Sequence, residues 1–402
     1  MPLHKYYAFG NNINSKQIPS IDCEDFCTES IATSHQINQK REAAVIYLDN
    51  AATTSTISLL KTYHNPSSPH ALGIKAERAL RGARKMVTIA LGTTGYIPSP
   101  EEVIFTSGGT EANNLAILGY TLANQRHGAS LDCAPQEHPS ILAPIRFAYE
   151  REWASANGSC KAHLLSITHV NHETGDINDI NTIAAAFKKE NPGAVIHIDG
   201  AQGFCKEIIN LQNIDMYSIS GHKCHGPTGT GALWVKKGIR LTPLQYGGGQ
   251  EDNMRPGTEN VSAIIQFSEA AATLTQEMQN NHAHVANLKS ILLSLQDNLP
   301  DVQVNSHSTN VSPYILNISF LGIKGEILVH ALSEKGIYAS MGAACNSRKR
   351  TPSTLETMGF TREVAQSAIR FSFSPYNTTD ETTKAAEIVF DTVNHLRSVI
   401  RK

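Results

Sequence analysis

Residues 215–227 read DMYSISGHKCHGP and contain the transition on which the fold prediction depends. The apolar side chains Met216 and Ile219 predict a strand that ends at a Ser-Gly-His-Lys turn. Gly226-Pro227 then stops any regular element. We therefore expect Lys223 at the carboxyl end of a strand, where a lowered pKa would make its amine a nucleophile. For this short turn alone, a solvated surface lysine is the simpler interpretation.

The composition is that of a globular α/β protein. The chain has 402 residues, 41% of them hydrophobic, which predicts one large domain and a second, smaller one. A formal net charge of −2 gives no electrostatic reason to bind nucleic acid directly or to bind a membrane. No apolar run approaches the roughly 20 residues that span a bilayer, and the N-terminus has no apolar core like that of a signal peptide.

The cysteines predict neither a disulfide framework nor a structural metal site. The chain has 7 of them, scattered along its length, which favours a reducing cytoplasm. Cys23 and Cys27 have zinc-ligand spacing, but no second pair follows at a suitable distance.

Predicted strands and helices alternate through the middle of the chain. The predicted strands are residues 102–106, 162–170, 194–199, 215–220 and 231–235. This alternation predicts a mostly parallel sheet with helices on both faces. We expect an N-terminal extension (1–44), a large domain (45–278, of which 45–55 can pack with the next domain) and a small α+β domain (279–402).

Polar residues follow the predicted strands at the edge where parallel sheets bind ligands. They are Gly109, Thr110, Asn171, His172, Asp199, Gln202, His222 and Lys223. Their shared position is a stronger signal than any one of them.

Residues 107–117 are predicted to bind a phosphate. Gly108 and Gly109 let the backbone approach an anion, and the helix that follows offers free N–H groups. The absence of a following Gly-Lys-Ser/Thr excludes a nucleotide P-loop. A tight turn with Thr110 as helix cap is an equally good interpretation of this stretch alone.

Together these groups match the needs of a pyridoxal 5′-phosphate site. Such a site needs an amine for a Schiff base, an acid against the ring nitrogen and an anion site. Lys223 would supply the amine and Asp199 the acid, although an aspartate after a strand can also cap a helix. Gly109 and Thr110, with Ser220 and His222, would hold the phosphate.

These residues and their order resemble the cysteine desulfurases of the class V, fold type I aminotransferase group. The matching stretches are residues 47–54 (YLDNAATT), 65–68 (NPSS), 106–116 (TSGGTEANNLA), 137–138 (EH), 169–171 (HVN), 220–223 (SGHK), 247–251 (GGGQE), 255–259 (RPGTE) and 369–372 (IRFS). The resemblance covers about residues 45–400. It implies a large domain with a mostly parallel seven-stranded sheet and a smaller α+β domain.

The resemblance also implies roles for individual residues. Lys223 would form the Schiff base and carry a proton at the substrate α-carbon. His138 would stack on the cofactor ring, Gln202 would bind its ring oxygen, and Arg370 would clamp the substrate carboxylate. Thr258 would reach the phosphate of a neighbouring subunit, which implies a homodimer. The remaining expected contacts are Asn50 and Asn171 with the substrate and His172 with the cofactor.

Cys345 is the residue that would distinguish desulfurase chemistry. It lies in residues 341–350 (MGAACNSRKR), beside three cations that favour a thiolate, whereas a bare cysteine is more often a small buried apolar group. In the family such a cysteine attacks the sulfur of L-cysteine, which leaves L-alanine and an enzyme persulfide. This loop resembles the longer form found in the branch of the family that moves its cysteine out to sulfur acceptors. No intrinsic metal site is expected, although Cys345 could transiently ligate an iron–sulfur cluster.

The chain departs from the family pattern in three places. His172 stands where the family usually has asparagine, and its protonation would add pH dependence. The segments 55–64 and 151–161 are short, and the chain ends soon after its last predicted helix, which weakens the expected link to the standard iron–sulfur scaffold. A tRNA-thiolation carrier is the other expected sulfur acceptor.

Three rival functions remain at this point. One is a selenocysteine lyase, and another is a catalytically weak sulfur-relay or binding partner. The third, a plain aminotransferase, is the weaker alternative because it would not need Cys345 in a mobile loop.

Overall fold

The computed structural model describes residues 46–52, 54, 64–92, 94, 96–154, 162–306, 308–341 and 352–400. The predicted extension (1–44) and Cys345 lie outside these ranges. The strands are β1 (Ile46–Tyr47), β2 (Val103–Thr106), β3 (Ala129–Cys133), β4 (Ala162–Thr168), β5 (Val195–Asp199), β6 (Met216–Ser220), β7 (Gly231–Val235), β8 (Val302–Val304), β9 (Ile315–Phe320), β10 (Ile337–Tyr338), β11 (Ser340–Met341) and β12 (Ala368–Ser372).

The helices alternate with the strands through the middle of the chain. They are α1 (Ala71–Leu91), α2 (Gly109–Asn114), α3 (Tyr120–Asn124), α4 (Pro139–Glu150), α5 (Ile180–Glu190), α6 (Val261–Gln276), α7 (Met278–Leu293), α8 (Leu295–Asn298), α9 (Gly325–Ser333), α10 (Thr354–Thr357), α11 (Arg362–Gln366) and α12 (Thr379–Ile400). A π-helical turn, Leu115–Gly119, joins α2 to α3. Within the described ranges, no helix is both long and apolar enough to cross a membrane.

The central sheet has the order β2-β7-β6-β5-β4-β3. Strands β3 to β6 pair in parallel, and β7 is antiparallel to both of its neighbours. The mostly parallel α/β fold is therefore confirmed. The expected number of seven strands is not reached, because the described part of the chain contributes six.

Apolar side chains cover both faces of this sheet. On one face Ile198 and Trp234 pack with residues of α1 and α6. On the other face Leu164 and Leu233 pack with residues of α2 and α4. Every residue of β5 and β6 is buried, including the polar His197, Asp199, Ser218 and Ser220.

A second sheet, of order β11-β12-β9-β8, is antiparallel. Its apolar residues form a separate cluster with α7 and α12, and Ile46 and Leu48 belong to that cluster. The domain boundary at residue 278 remains a prediction. Helices α6 and α7 follow each other directly but are separate, because Glu277 leaves helical geometry at φ −100° and ψ 9° between them.

Candidate active site

A cavity of about 710 Å³ opens at the carboxyl ends of the parallel strands. Thr168, Asp199 and Ser220, the last residues of β4, β5 and β6, all line it. The other predicted residues in its wall are Gly109, Thr110, His138, His172, Gln202, His222, Lys223 and Arg370. The sequence-based placement of these groups at one sheet edge is thus what the fold produces.

Lys223 enters the cavity from a single helical turn directly after β6. Gly221 permits this turn, because a Cβ there would stand only 2.3 Å from Thr230 Oγ1. Burial lowers the pKa of Lys223, and the cation of Arg370 lowers it further, while Asp199 opposes the shift. A lysine with a lowered pKa holds a larger fraction of neutral, nucleophilic amine near neutral pH.

Asp199 is linked to His138 by a chain of hydrogen bonds. Asn113 Nδ2 donates to Asp199 Oδ2 at 2.9 Å and to Ser140 Oγ at 2.8 Å. Ser140 Oγ lies 2.7 Å from His138 Nδ1, and the Ser140 backbone N–H donates to that same nitrogen at 3.1 Å. The backbone of Ala201 donates to Asp199 Oδ1 at 3.0 Å. The carboxylate is therefore held from both sides and faces the cavity in one orientation.

The two histidines of the cavity contact each other edge to face. The ring centroids of His138 and His172 are 5.2 Å apart, with an angle of 83° between the planes. Burial lowers the pKa of both, and the charge of Lys223 contributes in each case. For His172 the pKa falls well below 6.5, so protonation of its ring would affect activity only at acidic pH.

The predicted phosphate end is formed by tightly packed backbone. Gly108 has φ 155°, and the Cα of Gly108 would lie 2.6 Å from any Cβ at Gly231. A Cβ at Gly109 would stand 3.3 Å from Ser220 Cβ. Glycine at these positions keeps open the space in which backbone N–H groups can approach an anion.

Arg370, on β12, is oriented by two hydrogen-bond acceptors and a nearby carboxylate. Its Nη1 donates to the backbone oxygen of His172 at 2.9 Å, and its Nη2 donates to Asp49 Oδ1 at 3.3 Å. Glu173 Oε1 lies 3.8 Å from Nη1. The Nε is buried and has no hydrogen-bond partner among the described residues. The guanidinium is thus fixed in place with a donor left for a further acceptor.

Three predicted contact residues lie outside the wall of this cavity. Asn50 is buried and donates to the backbone oxygen of Ser372 at 3.1 Å. Asn171 is also buried, and its Oδ1 accepts bonds from two backbone N–H groups that follow it. Thr258 lines a separate cavity of about 250 Å³ together with Arg255. Their roles remain predictions, as does that of Cys345.

Asn113 and Ser140 were not predicted as site residues. Both lie near residues that were: Asn113 is in the helix after the phosphate loop, and Ser140 is in the His-Pro-Ser start of α4. A serine two residues after a histidine at a helix N-terminus is a local signal that could have suggested the second of these.

Known proteins are similar to this chain in sequence and fold over most of its length. The family model described as aminotransferase class-V matches residues 46–384. The chain is 34% identical over 388 residues to the cysteine desulfurase IscS of Buchnera aphidicola subsp. Acyrthosiphon pisum (strain 5A), covering 88% of this chain and 94% of that protein. It is 35% identical to a cysteine desulfurase of Trichormus azollae, covering 89% and 94%. The solved structure of a NifS-like protein matches with a TM-score of 0.80 at 28% identity, covering 88% of this chain and 100% of that one.

Proposed function

The chain belongs to the class-V aminotransferase family, and from this premise we infer that it is a cysteine desulfurase. Such an enzyme converts L-cysteine to L-alanine and passes the sulfur to an acceptor. The observation that carries this conclusion is the convergence of Lys223, Asp199 and Arg370 on one cavity. Its relatives in Buchnera aphidicola and Trichormus azollae bear the same enzyme name. No observation favours a selenocysteine lyase or a sulfur relay without turnover.

Pyridoxal 5′-phosphate fits the groups that line the cavity. Lys223 offers an amine, Asp199 an acid for the ring nitrogen, and Gln202 an amide for the ring oxygen. Gly109, Thr110, Ser220 and His222 would hold the phosphate, and Thr258 would reach it from the partner subunit of a homodimer. When bound, this cofactor supplies an electron sink for bond breaking at the substrate.

His138 is held in one tautomer. Two donors from Ser140 face its Nδ1, so in the neutral ring the proton resides on Nε2. The lowered pKa keeps the ring neutral near neutral pH. His138 can therefore donate a hydrogen bond from Nε2 to a group in the cavity, while Lys223 Nζ would carry the proton at the substrate α-carbon.

Arg370 would bind the carboxylate of L-cysteine. Arg370 lines the cavity, and its remaining Nη protons would be the donors that a carboxylate accepts in a bidentate manner. Asp49 and the His172 carbonyl would keep this fork oriented while the substrate binds.

Cys345 would accept the sulfur. L-cysteine and the Cys345 thiol together give L-alanine and a Cys345 persulfide, so that the carbon–sulfur bond breaks as the sulfur–sulfur bond forms. The neighbouring Arg348, Lys349 and Arg350 favour the thiolate that attacks sulfur. An iron–sulfur scaffold or a tRNA-thiolation carrier in the cytoplasm would then take the sulfur.

Mass spectrometry after incubation with L-cysteine and cofactor tests this proposal. We expect alanine and sulfide in the presence of a reductant, and one added sulfur on Cys345 in its absence. Cys345→Ser should abolish the added sulfur and leave cofactor binding intact. Cys133→Ser is the control, because burial raises the pKa of Cys133 to about 11 and makes it a poor nucleophile. Failure of the wild-type protein to form alanine would refute the proposed activity.

A further inference from the structure

Lys206 is a buried lysine next to the candidate site, and the mechanism above gives it no role. The residue is only 7% exposed. Burial lowers the pKa of Lys206 to about 8, and the charge of Lys223 contributes to the decrease. In the part of the chain that the structure describes, Lys206 forms no ion pair with a carboxylate. A buried cation without a paired anion is costly, so its contacts call for an explanation.

Those contacts lead to the wall of the cavity. Lys206 Nζ donates to Gln202 Oε1 at 3.2 Å and lies 5.5 Å from the ring centroid of Tyr314. Two consecutive turns bring the two side chains together, because the carbonyls of Gly200 and Gly203 each accept bonds from the residues three and four positions later. Gln202 lines the cavity and Lys206 does not, so Lys206 contacts Gln202 from behind the cavity wall.

The chemistry of an ammonium group decides which end of the Gln202 amide faces which way. Lysine can only donate hydrogen bonds, so the amide end next to it must be the oxygen. Nε2 is then directed elsewhere, and it donates one of its protons to the backbone oxygen of Ala51 at 2.9 Å. Its second proton remains available to the cavity that Gln202 lines.

We propose that Lys206 is a positioning residue that holds the Gln202 amide with an N–H towards the cofactor ring oxygen. This inference rests on the proposed function, because it assumes that pyridoxal 5′-phosphate occupies the cavity. The ring oxygen carries negative charge and requires a donor opposite it. Without Lys206 the amide can turn over and present its own oxygen there, which would repel the ring oxygen instead of binding it.

A double-mutant cycle on cofactor affinity tests the proposal. Full-length protein freed of cofactor is titrated with pyridoxamine 5′-phosphate, which has the ring oxygen and the phosphate but cannot bond to Lys223. Lys206→Met and Gln202→Ala should each raise Kd by about 10-fold, the effect of one hydrogen bond to a charged group. The double variant should bind no more weakly than Gln202→Ala alone.

Lys289→Met is the matched control. Burial lowers the pKa of Lys289 to about 8 as well, and its Nζ donates at 2.8 Å to the backbone of Ser312, outside the cavity wall. It should lose stability much as Lys206→Met does, with Kd unchanged within about 2-fold. Additive losses in the cycle, or an unchanged Kd in Lys206→Met, would overturn the proposal.

Three further outcomes separate a folding defect, a failure of cofactor binding and a failure of the positioning role. If Lys206→Met does not fold, Lys206→Gln and Lys206→Leu replace it: the glutamine can donate to Gln202 and the leucine cannot, so equal affinities would overturn the proposal. If the wild-type protein binds neither pyridoxal 5′-phosphate nor its amine form, the proposed function itself fails. An effect of Lys206→Met with none from Gln202→Ala would refute only the positioning role.

Discussion

Replacing Asn113 by alanine should impair catalysis although its side chain need not touch the substrate. The substitution removes the bond to the Asp199 carboxylate at 2.9 Å and the bond to Ser140 Oγ at 2.8 Å. Among the described residues, Asp199 then keeps one donor, the backbone of Ala201, and Ser140 loses the donor that orients its own proton towards His138. Both ends of the hydrogen-bond chain are loosened by one change.

The expected losses of stability and of kcat/KM can be estimated from the two hydrogen bonds that Asn113 donates. A hydrogen bond to a charged group contributes about 1.5–3 kcal/mol and a neutral one about 0.5–1.5 kcal/mol. Asn113 Oδ1 is buried without a partner among the described residues. Because an unpaired buried oxygen is unfavourable, its removal offsets part of the stability lost with the two hydrogen bonds. We expect the free energy of unfolding to fall by about 2 kcal/mol. If the transition state needs Asp199 fixed, a loss of about 2 kcal/mol corresponds to a roughly 30-fold lower kcat/KM.

The assay is alanine formation from L-cysteine at saturating cofactor, with urea unfolding of the same preparations. Asn124→Ala is the control, because Asn124 Nδ2 also donates at 2.9 Å, to the backbone of Tyr120, outside the cavity wall. Ser140→Ala retains the bond to Asp199 and should lose less activity than Asn113→Ala. A kcat/KM for Asn113→Ala within about 3-fold of that for Asn124→Ala would refute the reasoning.

Further predictions concern substrate binding, acid stability and the support of β2. Arg370→Lys should raise KM for L-cysteine by about 10-fold with a smaller change in kcat, because one ammonium cannot replace a bidentate fork. Burial lowers the pKa of His197 to about 4, so the unfolded state takes up its proton first as pH falls below 6.5. Urea unfolding should therefore show that the free energy of unfolding falls as the pH is lowered from 6.5, with His197 accounting for up to about 3 kcal/mol near pH 4. The decrease should be smaller in His197→Gln. Glu251→Gln removes the anion that Arg84 contacts at 2.7 Å and should lower the free energy of unfolding by about 3 kcal/mol. Glu77→Gln breaks only a surface pair with Arg81 and should lower it far less.

The placement of the site could be predicted because it depends on topology alone. Once β5 and β6 are parallel neighbours, the residues after them must meet at one edge, which brings Asp199 and Lys223 together. The sequence pattern of alternating strands and helices contains this information. It does not depend on the rotation of any helix.

The supporting contacts could not be predicted because they depend on helix rotation and on long-range packing. Asn113 and Asn114 are adjacent amides in one helix, yet the first donates to Asp199 and the second donates to the backbone of Thr110. Only the packing of α2 on the sheet decides which of them faces the carboxylate. The bond from Lys206 to Gln202 likewise depends on turn geometry that periodicity does not encode.

The histidine at position 172 illustrates how the fold accommodates a departure from the family pattern. Arg370 binds the backbone oxygen of this residue, so that contact does not depend on the side chain. Burial and the neighbours His138, Lys223 and Arg370 disfavour a charge on the side chain, although the Glu173 carboxylate lies 3.7 Å from its Nε2. Burial and these neighbours lower the pKa of His172 well below 6.5, so the ring remains a neutral polar group as an asparagine would be. Near neutral pH the substitution therefore preserves the charge state of the cavity, which argues against reading this chain as a family member with impaired turnover.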